Sequence, residues 1–293
     1  MDVLNAKRTL LNQESDLEKF SDYIIENNQK LSFLQDCYSI LKLLEDPDLT
    51  THKLSKHIYS YKALARHLIS FKSGNARIFS EKINKSEVTR AIQILGINET
   101  KTQVEEFLIH EYLLLAKNTK NAELQMLYRK SARLAMTVIY LNHLYKDIIP
   151  KSDTVMAALN MYQADKAILK LNPVIYFEAK KMSARGIGFK SAINLLFNVD
   201  TSALARHIIN SYDFETTYII KIMGNQLETK EKAILDFAKY LVENIKFEYK
   251  CASTLWKSVQ PYLISAGLKL DRSNFENFMH GTFFKMIKLE KSI

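Results

Sequence analysis

Apolar positions recur at three- and four-residue intervals almost from end to end, which predicts a chain built of helices. A first amphipathic segment carries Leu17, Phe20, Tyr23 and Ile24, and a second carries Leu31, Leu34, Tyr38, Leu41 and Leu44. Asp46-Pro47-Asp48 stops the second, because proline disfavours helical geometry in the residue before it. Thr50 or Thr51 then caps a helix through Leu54 and Ile58, and a further helix follows from Lys62 to Phe71.

Beyond the Gly74-Asn75 break, Ser86 is expected to cap a helix bearing Val88, Ala91, Ile92 and Leu95, and Gly96 to end it in the left-handed conformation. Val104, Phe107, Leu108, Tyr112 and Leu115 mark the next helix. A long one, from Ala122 to Tyr145, puts Leu124, Leu127, Tyr128, Ser131, Leu134, Ala135 and Val138 on one stripe. Asn172-Pro173 reads as an N-cap followed by proline at the first helical position, where its missing N–H costs nothing. Asp200 is expected to cap Thr201 to Ser211, and Asp213 to cap Phe214 to Met223, which Gly224 ends. Three more helices are predicted near Thr229 to Phe247, Ala252 to Ser265 and Phe275 to Lys288, with Ser273 and Glu276 at capping-box spacing before the last. No repeat of fixed period occurs. The predicted architecture is all-α and multi-helical: an N-terminal helical lobe over residues 1–118, a second lobe over 119–227 and a C-terminal helical appendage over 228–293.

Composition narrows the function classes. With 47% hydrophobic and 25% charged residues the chain is an ordinary globular protein, and only 7 Gly and 4 Pro argue against a turn-rich β fold. Cys37 and Cys251 stand far apart, without a Cys-x-x-Cys partner, so they predict small buried hydrophobes in place of a disulfide framework or a thiolate metal site. Met1 to Leu10 has no apolar core of signal-peptide length. The apolar stretch from Phe107 to Ala116 is broken by His110 and Glu111, so a cytoplasmic chain with no membrane insertion is expected.

Several segments together resemble a known family. Ile40-Leu-Lys-Leu-Leu-Glu-Asp-Pro-Asp-Leu49, Leu54, Ile58, Ala63-Leu-Ala-Arg-His-Leu68 and Ala91-Ile-Gln-Ile-Leu-Gly-Ile97 are similar to the N-terminal half of the HD-related output domain (HDOD). Ala157-Ala158-Leu159 with Leu169-Lys-Leu-Asn-Pro173 resembles its segment around a His-Asp pair, and Phe197-Asn-Val-Asp200 the segment before a later histidine. The resemblance covers residues 31–227 and implies an HD-domain-like helical bundle, a degenerate relative of metal-dependent phosphohydrolases in which histidines and an aspartate hold a metal that activates water.

At the positions where the resemblance would place those ligands, this chain carries Lys130, Met161, Tyr162 and Thr201, with Met223-Gly224-Asn225 in the region of the last. None of these side chains is a normal ligand for a hard or borderline divalent cation. No catalytic residue, metal or cofactor is therefore assigned. Met161 and Tyr162 are expected to fill the old cavity as core; alternatively, Tyr162 and Lys130 hydrogen-bond an anion in a remodelled pocket.

Other motifs reduce to ordinary structure. The 7 histidines include none followed by Asp, and His110-Glu111 has Leu114 where a zinc-protease helix needs its second histidine. Gly186-Ile-Gly-Phe-Lys-Ser191 has two glycines at dinucleotide-loop spacing but neither a third nor a preceding strand, so it predicts a loop between helices.

Charge adds a candidate surface. The chain is basic, with formal net charge +9, and residues 52–90 hold nine Lys or Arg against Glu81 and Glu87. Lys72, Arg77, Lys82 and Lys85, interleaved with Tyr59, Tyr61, Phe71 and Phe79, form a candidate partner-binding surface, since interface hot spots favour aromatic and Arg side chains. The same pattern also describes a solvated helical face whose aromatics point inward.

The expected function is a non-catalytic signal-transduction or regulatory module. It would act by binding a protein partner or a small anionic ligand, and the resemblance implies bacterial motility or virulence signalling. A metal-dependent phosphodiesterase is the enzyme alternative. A nucleic-acid-binding protein is a third reading that rests on the basic charge alone.

Overall fold

The computed structural model describes residues 22, 23, 26, 30–73, 83–144, 151–197, 201–211, 230–244, 252–265, 271–278 and 281. Among these residues the regular structure is helical throughout, without a strand, as the periodicity predicts. The chain divides into two compact units, one of residues 32–114 and one of residues 1–31 with 115–293.

The first unit contains α1 (Ser32–Leu43), α2 (Thr51–Ser60), α3 (Lys62–Ser73) and most of α4 (Lys85–Asn118). α1 ends ahead of Asp46-Pro47, and Thr50 caps α2, its hydroxyl accepting from the Lys53 amide at 3.2 Å. The cap of α4 is not Ser86 but Asn84, whose side chain accepts from the amides of Ser86 and Glu87. Glu87 reaches back to the Asn84 amide at 3.1 Å, so the reciprocal box is built on Asn two residues ahead of the expected serine.

Gly96 interrupts α4 with φ 76° and ψ 169°. The positive φ matches the expectation for glycine, but the extended ψ differs from a left-handed cap, and the helix resumes after a kink instead of ending. The buried Thr100 hydroxyl donates to the Gly96 carbonyl at 2.7 Å and satisfies one acceptor freed there. Leu34, Leu41, Leu54, Ile58, Leu64, Leu68, Val104 and Leu108 form an apolar core closed to solvent. Cys37 belongs to that core, and burial pushes its thiol well up; Cys251 lies outside the described residues.

The second unit contains α5 (Ala122–Leu144), α6 (Lys151–Asn160), α7 (Gln163–Leu171), α8 (Pro173–Ala184), α9 (Phe189–Phe197) and α10 (Thr201–Asn210). They are followed by α11 (Lys230–Asn244), α12 (Ala252–Ser265) and α13 (Arg272–Phe278). α5 packs on α6, α7 and α11; α7 also packs on α8 and α10, which places α5, α7 and α11 around a shared interior. Asn172 accepts from the Ile175 amide at 3.2 Å with Pro173 at the first position of α8, as expected.

Gly186, with φ 95°, closes α8. The Ile187 amide bonds the Met182 carbonyl and the Gly186 amide bonds Ser183, a Schellman end. The interhelical loop is only Gly186 to Gly188, since Phe189 to Ser191, expected in the loop, begin α9. α13 is capped by Asp271, which accepts from the Asn274 amide at 2.7 Å, so the Ser273 to Glu276 box is not the one formed. Asp200 and the helix expected from Phe214 to Met223 lie outside the described residues.

Candidate functional site

Residues Tyr162, Lys166 and Leu169 fall on one face of the α7 segment at i, i+4 and i+7, the face that α7 buries. A lysine in such a stripe is rare, because removing an ammonium from water costs far more than its stem recovers. Lys166 is 0% exposed. Its Nζ donates to Ser131 Oγ on α5 at 3.0 Å and stands 4.6 Å from the centroid of the Tyr128 ring. Burial pushes its amine down to about 7, opposed in part by the adjacent Asp165.

Asp165 supplies the opposite charge. Asp165 is half-buried, and burial pushes its carboxyl up to about 6 against the pull of Lys239, Lys190, Lys166 and Lys130. Those four lysines come from α11, α9, α7 and α5. Tyr162 completes the cluster: its hydroxyl donates to Glu243 Oε1 on α11 at 3.2 Å, and Lys130 Nζ stands 5.9 Å from its ring. Burial, and then Glu243, hold the Tyr162 phenol far above its ordinary range. Lys239, one turn from Glu243, lies 4.0 Å from the same carboxylate.

The structure thus brings Lys130 and Tyr162 together. Met161 sits beside them in the α6–α7 turn, half-buried, while Tyr162 is buried. Thr201 is buried at the start of α10; Met223 to Asn225 lie outside the described residues. Lys166, Asp165, Lys239, Lys190 and Glu243 escaped the sequence reading, although a lysine at the centre of the α7 apolar stripe was a visible signal for the first. The partners on α9 and α11 carry no comparable local sign.

Of the basic window, Arg77 and Lys82 lie outside the described residues, as do Phe79 and the Gly74-Asn75 break. Lys72 belongs to the end of α3, and Lys85 opens α4, half-buried. Tyr61 meets Phe107 edge-on at 5.7 Å, and Lys62 covers the Tyr59 ring, whereas Phe71 is 48% exposed.

The metal that HD relatives use does not fit the donor set at Lys130, Met161, Tyr162 and Thr201. An amine, a thioether, a phenol and an alcohol offer no anionic ligand to a divalent cation, and the nearby Asp165 carboxylate is already ringed by lysines that repel one. Among the described residues no group of three or more His, Cys, Asp or Glu could hold a metal ion.

The HDOD domain model matches residues 32–225, close to the span of the sequence resemblance. An HDOD domain protein of unknown function from Geobacter sulfurreducens has a similar structure, with TM-score 0.59 and 13% identity over 88% of this chain and 91% of that one. A provisionally assigned phosphohydrolase from Shewanella amazonensis SB2B aligns with TM-score 0.58 and 15% identity over 87% of this chain and 93% of its own. At these identities the likeness establishes the shared fold. Among curated proteins none matches the chain.

Proposed function

Since the chain belongs to the HDOD domain family, we propose that it is a non-catalytic regulatory module that signals by binding a protein partner. The observation that carries this reading is the cation-rich interior at α5, α7 and α11, where Lys166 occupies the core and Tyr162 is tied to Glu243. Water activation needs a metal held by several correctly oriented donors, and loss of several removes most of the binding free energy of such a site. Fold kinship alone does not restore an activity whose ligands are replaced.

The proposed setting is bacterial cytoplasmic signalling of the kind that governs motility or virulence. The partner is proposed to meet the basic window of Lys72, Arg77, Lys82 and Lys85, whose charge would steer an acidic face toward it. No described helix is long and apolar enough to cross a membrane.

Purified protein is expected to carry no stoichiometric divalent metal and to leave cyclic dinucleotides and nucleoside triphosphates intact. Bound metal with chelator-sensitive phosphodiesterase activity would establish the enzymatic reading instead. Partner capture from the native cell by the full chain, compared with its variants at the basic window, locates the interaction. Reversing Lys72, Arg77 and Lys82 to Glu is expected to abolish capture without changing helical content. Undiminished capture would move the partner surface elsewhere.

A further inference from the structure

A cavity of about 280 Å³ opens in the second unit. Lys30 and Lys170 stand in its wall beside Tyr23, Tyr128 and Asn118. Leu115 and Leu124 give it an apolar side.

The two lysines share one carboxylate. Glu26 Oε1 accepts from Lys30 and Oε2 from Lys170, so one anionic group bridges two cations that come from separate segments of the chain. These bonds hold the Glu26 carboxyl down to about 2. All three side chains keep solvent contact, at 50% for Lys30, 37% for Lys170 and 46% for Glu26. An exposed triad of this kind is worth little to the fold and exchanges readily. Lys170 also stands 5.7 Å from the Tyr23 ring, so its ammonium remains over the aromatic wall when the carboxylate leaves.

We propose that this cavity binds a small oxyanion carried on a single flat ring, the anion replacing Glu26 between Lys30 and Lys170 and the ring lying among Leu115, Leu124 and the tyrosines. The chemistry follows from the walls. Two ammonium groups chelate the two oxygens of a carboxylate or two of a phosphate monoester, as they chelate Glu26. The apolar side receives a ring, and Asn118 offers amide donors and an acceptor to a ring substituent. A volume just below the usual range of ligand sites, roughly 300 to 1,000 Å³, excludes a dinucleotide.

Glu26 acts here as an internal competitor: ligand enters only when the carboxylate swings out, which raises the apparent dissociation constant by the fraction of open state. Lys30 lies two residues before the first unit begins, and Leu115 is the residue at which the chain returns from it. The cavity shares Tyr128 with the interior around Lys166 and stands whether or not the regulatory reading holds.

Benzoate and phenyl phosphate, titrated into the full chain by calorimetry at low salt, provide the test. One-to-one saturable binding of at least one probe is expected, and the tighter of the two identifies the oxyanion. Glu26→Gln removes the competitor and is expected to tighten that probe about tenfold, the value of one charge-assisted contact. Lys30→Met with Lys170→Met is expected to weaken it at least a hundredfold, while Lys181→Met, on the exposed side of α8, leaves it unchanged. Absence of binding by both probes overturns the proposal, as does a Glu26→Gln variant that binds no tighter than the parent. The glutamine variant keeps the decision clear if the double lysine variant fails to fold.

Discussion

The interiors of the two units are built on different principles. In the unit of residues 32–114 the buried polar groups serve mainly their own helices: Ser55 donates to the His52 carbonyl, Thr100 to Gly96, and Gln103 bonds Glu99 and Glu106 along α4. One longer link, His67 to Gln103 at 3.1 Å, joins α3 to α4. In the other unit, polar bonds tie together elements distant in sequence: Lys166 with Ser131, Tyr162 with Glu243, and Tyr176 with Glu123. The contrast teaches that the second interior is held together by polar bonds between distant elements, whereas the first relies mainly on apolar packing.

The largest expected effect sets Lys166 against its apolar isostere. Its folded pKa, about 7, lies below the ordinary lysine value of 10.5, so the unfolded chain binds more protons between these limits. Stability therefore rises as pH climbs from about 7 to 10, while below 7 the full cost of burying the ammonium is present. Lys166→Met is expected to unfold at higher urea concentration at pH 6, by an amount on the order of several kcal/mol, and to lose this pH-dependent gain. A variant with the parent's pH profile would place the titrating group elsewhere.

An ordinary core substitution in the first unit should behave differently. Leu108→Ala, at a fully buried position of α4, is expected to cost about 2–5 kcal/mol from lost packing and the cavity left behind. Its loss should be the same at pH 7 and pH 9, measured by urea unfolding, because no titratable group is exposed. A pH-dependent loss would show that the first interior also depends on buried charge.

The smallest effect concerns the kink. Gly96 has open space where a Cβ would stand, so Gly96→Ala introduces backbone strain without a clash. A φ of 76° with ψ near 169° is available almost only to glycine, and a cost of about 1–3 kcal/mol is expected in thermal unfolding. A neutral substitution would mean that α4 straightens freely.

Most of the fold was legible in the sequence because helical periodicity and caps act over a few residues. Thr50, Asn172-Pro173 and Gly186 punctuate the helices where their local chemistry predicts. The two misplaced caps have a common cause: Asn84 and Asp271 were each available two residues ahead of Ser86 and Ser273, and each took the amide protons first. The site was less legible. Tyr162 and Lys130 were found through the family pattern, but Glu243 and Lys239 reach them from about 80 residues further along the chain, a distance over which periodicity carries no information. The same applies to the cavity, whose Glu26 to Lys170 bridge spans nearly half the sequence.

The question of whether the interior rejects a divalent cation can be put to it directly. Mn²⁺ titrated into isotopically labelled protein broadens nuclear resonances close to any site it occupies. The expected result is that the amides of residues 128–131 and 162–166 keep their line widths at equimolar Mn²⁺, because Lys130, Lys166, Lys190 and Lys239 repel the ion. Selective broadening of those amides at stoichiometric metal would contradict the non-catalytic reading.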